Sequence, residues 1–161
     1  MTTLVFLHIL GAVIWAGGLV FVGLVAAGAR RTVPARERAE LFRFVGRGLL
    51  VMGVVAAVLL GLSGNFLVDD RFGGLDDLSG EPGRLILWKT ILFAGVLALA
   101  FVHGLVLGPG IRRLRLSQAE GQLTDAEEAL LRRKATISGI AQVAMLTGTV
   151  AILALAADLV A

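Results

Sequence analysis

Four stretches of this chain are long and apolar enough to cross a membrane, and nothing else in it constrains the fold as much. A bilayer's hydrocarbon core is about 30 Å thick, so a helix rising about 1.5 Å per residue needs about 20 apolar residues to span it. The sequence offers Leu4–Val25, Gly48–Val68, Leu85–Gly108 and Ala135–Val160. Each is long enough to cross with some tilt. The first has no basic residue ahead of it and is too long for the apolar core of a signal peptide, so it reads as a retained helix. The expected fold is all-α: one transmembrane domain over residues 1–161, an antiparallel four-helix bundle.

The charges assign an orientation. Arg30–Arg47 carries six Arg against two Glu, and Arg112–Lys134 six basic residues against four acidic ones. Asp69–Arg84, between the second and third spans, has five acids and two Arg. Short basic loops stay in the cytoplasm. Both termini are therefore expected outside. Charged residues make up only 17% of the chain, against roughly 25% in average globular usage. The basic loops are not interleaved with aromatics as a nucleic-acid groove would be, so nucleic acid is not an expected partner. The chain has no Cys, which removes disulfides, thiolate metal sites, iron–sulfur clusters and cysteine nucleophiles together.

The connections are compact. Pro34, Pro82 and Pro109 each lie just outside a span, where a missing amide does least damage. Thr124-Asp125-Ala126-Glu127 has the spacing of a capping box, opening a helix that runs into the fourth span. The segment Asp69 to Gly83, rich in Gly and Asp, is expected to be irregular. Helices in lipid associate through small residues and polar contacts. Gly53/Ala57/Gly61, Ala100/Gly104/Gly108 and Ala144/Gly148 are the candidate rows for close approach.

Ionisable side chains inside a membrane are costly and face the bundle interior or an aqueous cavity. Here they are His8, Lys89, His103 and, near the outer end, Asp158, with Asn65, Gln142, Thr147 and Thr149 as neutral company. Helical rise puts His8 and Lys89 each about 6 Å from the outer start of their spans, hence level with one another. His103 lies roughly 21 Å deeper than Lys89 along the same helix, close to the level of Gln142. Two polar layers follow: His8, Lys89, Asn65 and Asp158 outside, His103 with Gln142 inside. Lys89, Phe93, Val96, Ala100, His103 and Leu107 form one helical stripe, and His8, Ala12, Trp15, Leu19 and Val22 another. If both stripes face inward, His8 and Lys89 converge on one site. The two histidines, about 20 Å apart by helical rise, cannot share one iron. Trp88 sits at the depth of an interfacial belt, whereas Trp15 lies near mid-membrane, where a belt does not explain it.

His8-Ile-Leu-Gly-Ala-Val-Ile-Trp15-Ala-Gly17-Gly18 resembles the first-helix signature H-x6-W-x-G-G. That signature is shared by the CopD family of bacterial copper-resistance membrane proteins and the HemJ-type protoporphyrinogen oxidases. Leu87-Trp88-Lys89-Thr90, with Phe101-Val102-His103 and Pro109, looks like the CopD-type third helix; His at position 103 is the more HemJ-like feature. Arg43/Arg47 ahead of an apolar helix ending in Leu62-Ser63-Gly64 is similar to the CopD second helix. The Arg- and Tyr-containing continuation of the HemJ first helix is missing, the chain reading Gly18-Leu19-Val20-Phe21-Val22.

The resemblance implies a multi-pass protein of the bacterial cytoplasmic membrane, with b-type haem as cofactor and His8 and Lys89 as the residues required for activity. On this reading His8 is the metal ligand. Lys89 is a sixth ligand, a partner of a haem propionate or the catalytic proton donor. Trp15 and Arg84 line the cofactor, and Arg71 joins Arg84 at the rim. Gly11 and Ala12 would leave room for a flat macrocycle. The function expected is redox chemistry or electron transfer in the outer half of the membrane. Its partners would be the lipid bilayer and a redox protein or a small diffusible substrate, with a homo-oligomer left open. Two alternatives stand beside it: copper binding or transport of the CopD type, and a cofactor-free accessory subunit. Copper(I) prefers soft ligands, and Met52 and Met145 lie too deep to join His8.

Overall fold

The computed structural model describes residues 2–73 and 80–158, without the side chains of residues 30, 35 and 158. Among the described residues the chain is helical almost throughout: α1 (Thr2–Thr32), α2 (Ala35–Phe72), α3 (Gly80–Val102), a π-helical turn (His103–Leu107), α4 (Gly108–Ala119) and α5 (Asp125–Asp158). Four helical stretches are long and apolar enough to cross a membrane, the third running through the π turn into α4. They alternate in direction, so α1 begins and α5 ends at one end of the bundle, here the terminal end. The opposite, basic end holds the α1–α2 and α4–α5 connections.

Large apolar side chains cover the outside. Val13, Leu24, Phe66, Phe101, Ile140 and Val150 are all exposed, as lipid-facing residues should be. The interior is small. Trp15, Ala56, Val96 and Met145, one from each spanning helix, form its buried cluster. α1 packs most extensively on α2 and α3 packs on α5, and contacts of α2 with α4 and of α1 with α5 join the two pairs. Consecutive α2 and α3 barely touch.

Both inward stripes are found as expected. His8, Ala12, Trp15, Leu19 and Val22 on α1 are all buried or half-buried, and so are Lys89, Phe93, Val96, Ala100, His103 and Leu107. The small-residue rows fare differently. A Cβ at Gly148 would lie 2.5 Å from Val96 Cγ2, so α3 and α5 do meet there. Gly53, Gly61 and Gly104 meet no neighbouring helix. The close approach of α1 and α2 comes instead at Gly11, where a Cβ would lie 3.0 Å from Leu60 and 3.1 Å from Leu59.

Three local features depart from expectation. α2 continues through Asp69–Phe72 and stops at Gly73, whose φ of 77° is a left-handed cap with its N–H bonded to Asp69. α3 begins at Gly80, so Gly80–Gly83 of the segment expected to be irregular are helical as well, and residues 74–79 of it lie outside the described residues. Pro109 does not end the third span. The preceding turn widens to π, with the Gly108 N–H bonded to the His103 carbonyl, and the helix resumes through Pro109 to Ala119. A wider turn accommodates a residue that has no N–H to give.

Candidate functional site

His8 is half-buried on the inward stripe of α1, facing α2. Its Nδ1 lies 3.0 Å from Ser63 Oγ. A Cβ on the next residue, Gly64, would lie 3.2 Å from His8 Cε1, so the imidazole edge rests against bare backbone. Ser63 is buried, and its hydroxyl donates to the Leu59 carbonyl one turn earlier on α2. A serine hydroxyl has one proton. With that proton committed to Leu59, Ser63 Oγ can only accept from the imidazole. A neutral His8 therefore carries its proton on Nδ1, facing Ser63, and its ring also meets the Leu60 carbonyl of α2. Such an orienting bond on one ring nitrogen is the arrangement that prepares the other as a metal ligand or base.

Lys89 is half-buried on α3, a helix that α1 scarcely touches. Among the described residues no hydrogen bond or ion pair holds its Nζ. Arg84, five residues earlier, and Arg71 at the end of α2 are exposed at the same end of the bundle. Asn65, expected in this layer, is exposed: two residues from Ser63, it points to the other side of α2. The Ser63 hydroxyl supplies the polar contact instead. Reading Leu62-Ser63-Gly64 for helical phase against His8 could have found it. The side chain of Asp158 lies outside the described residues.

Trp15, 9% exposed, is about 10 Å deeper than His8 at the helical rise. Its indole N–H donates to Thr149 Oγ1 of α5 at 3.3 Å, and its ring meets Phe93 of α3 edge-on with centroids 6.0 Å apart. That explains a tryptophan at mid-membrane: a buried indole N–H needs an acceptor, and Thr149 provides one. Trp88 is exposed, as an interfacial aromatic would be.

The inner layer has different pairings from those expected. His103 Nε2 lies 2.7 Å from Ser138 Oγ, and Gln142, one turn further along α5, donates from Nε2 to the Leu19 carbonyl at 3.0 Å. Both groups link helices, but not to each other. Ser138 sits one helical turn nearer the basic end than Gln142, on the same face, and meets the ring first.

Gly11 does not leave an opening. The gap of its missing side chain is filled by Leu59, Leu60 and the Ala56 carbonyl of α2. Among the described residues no three His, Cys, Asp or Glu gather to hold a metal ion. An open groove of about 710 Å³ lies on the outer face of α5, lined by Thr136, Gly139, Ile140, Val143, Ala144 and Thr147, apart from His8 and Lys89. No family model, curated protein or solved structure matches the chain.

Proposed function

We propose that this chain is a multi-pass haem protein of the CopD/HemJ type, carrying b-type haem at the terminal end of the bundle through His8. The observation that supports this most directly is the hydrogen-bond accounting at Ser63, which assigns the His8 proton to Nδ1 and so makes Nε2 the nitrogen for a metal. The donor set suits haem better than a bare metal ion. Haem brings four nitrogens of its own and asks the protein for one imidazole, and helix bundles commonly house such cofactors. A bare copper ion would need several protein ligands together, and soft ones for copper(I).

In this reading Ser63 and Gly64 hold the imidazole plane, Ser63 by its hydrogen bond and Gly64 by giving the ring edge room. Leu59 and Leu60 close the Gly11 side. Lys89 and Arg84 offer positive charge for propionates, and Lys89 is the candidate proton donor. Trp15 and Phe93 form the apolar floor below. Bound haem would supply a one-electron couple. His103 and Gln142 brace helices in the opposite half. The basic end faces the cytoplasm of a bacterium and the site faces outward, by the rule that keeps short basic loops inside.

The deciding experiment is an absorbance spectrum of detergent-purified protein, expressed with ample haem, as isolated and after dithionite. The expected result is a Soret band with reducible α and β bands, lost in His8→Ala, weakened in Ser63→Ala and kept in His103→Ala. A featureless wild-type spectrum overturns the proposal. Copper in such a preparation would favour the copper reading.

A further inference from the structure

The charges at the basic end are sorted by depth. α2, α4 and α5 all run past their apolar spans there, carrying charged side chains out of the hydrocarbon. Counted from the apolar boundaries at 1.5 Å per residue, Arg47 and Arg43 of α2 lie about 1.5 and 7 Å out, and Glu40 and Glu37 about 12 and 16 Å. Arg112 of α4 lies about 6 Å past Gly108, and Glu120 of the same helix about 18 Å. On α5, Lys134 and Arg133 come first, and the nearest acid, Glu128, about 10 Å out. The tier against the hydrocarbon is thus wholly basic, with the acids of this end beyond it. At the terminal end the order is reversed on α2, where Asp69 and Asp70 follow directly on Val68.

Arg43, Arg47, Arg112 and Arg133 are exposed, and none of the four has an ion-pair partner among the described residues. The nearby Arg132 is paired, with Glu128 at 3.2 Å. Beside Arg43, Phe44 is 81% exposed, the most exposed large apolar side chain in the molecule's described part. An aromatic ring is stable in that position when it dips into the bilayer interface, which fixes the depth of the arginines around it. Four guanidinium groups at headgroup depth without carboxylate partners bind phosphodiesters through paired hydrogen bonds, and their net positive charge is matched by a headgroup whose phosphodiester has no cation of its own.

We infer that the basic tier of α2, α4 and α5 binds anionic phospholipid of the surrounding leaflet, preferring it to zwitterionic lipid. Glu37, Glu40 and Glu120 lie about 12–18 Å out, beyond the basic tier. They repel anionic headgroups from positions beyond that tier and so confine them to it.

The test uses the full chain purified in detergent containing equal amounts of phosphatidylglycerol and phosphatidylcholine, with retained lipid counted by native mass spectrometry. Wild type should retain phosphatidylglycerol in excess, and raised salt should shrink the excess. Each of Arg43→Gln, Arg47→Gln, Arg112→Gln and Arg133→Gln should lower it, by up to about fivefold per charge near an anionic surface. The fourfold Arg→Lys variant keeps the charge and should keep most of the preference, which separates lipid binding from failure to fold. Glu37→Gln with Glu40→Gln should not lower it. Equal retention of the two lipids by wild type, or an unchanged preference in the fourfold Gln variant, overturns the inference.

Discussion

Gly148 marks the point where α3 and α5 leave no room for a side chain. An added methyl would sit 2.5 Å from Val96 Cγ2, and Val96 is buried and β-branched, so its methyl has little freedom to move away. Gly148→Ala should destabilise the protein by about 1–3 kcal/mol, the cost of overpacking a tight core. Thermal unfolding in detergent would register it, and Val96→Ala in the same chain should restore most of the loss. If Gly148→Ala unfolds as wild type, the close approach is not a constraint. At this scale the sequence was half legible. His8, Trp15, Lys89 and His103 mark the inward faces because a polar or amphipathic side chain in hydrocarbon needs somewhere to point. Gly53 and Gly61 look like packing positions by the same spacing that singles out Gly148, yet they meet nothing. A helix that is apolar all round carries no periodic signal of its buried face, so small residues alone cannot reveal it.

Element by element, the start of α5 was the most legible. Thr124 and Glu127 form the reciprocal box their spacing predicts: the Thr124 N–H donates to Glu127 Oε2 at 3.0 Å, and the Glu127 N–H to Thr124 Oγ1 at 3.3 Å. Thr124→Ala should fray this first turn at a cost of about 1 kcal/mol. Hydrogen exchange should quicken in the first turn of α5 and stay unchanged in its membrane half. Uniform quickening along the helix would mean the box governs more than its own end. The π turn at His103–Leu107 and the continuation into α4 were not legible. Pro109 is a helix breaker in isolation, and only the registry of α3 against α5, fixed by contacts such as His103 to Ser138, shows that the chain carries on as helix.

For the whole molecule, the absence of native cysteine makes orientation directly measurable. Asp70 and Gln122 are exposed at opposite ends. In intact bacterial cells, a membrane-impermeant maleimide should label Asp70→Cys and leave Gln122→Cys unlabelled until the membrane is opened. The reverse pattern would invert the orientation proposed above. The packing order also sets a schedule for biogenesis. α1 and α2 are neighbours in the chain and in space, so that hairpin can close as soon as both have entered the bilayer. The third span meets α2 mainly through its α4 end, and its α3 part rests on α5. Between the end of α3 and the end of α5 lie 56 residues, roughly 3–11 s of translation at about 5–20 residues per second. For that interval His103 stands in a half-built protein without Ser138, the partner that ties its helix to α5.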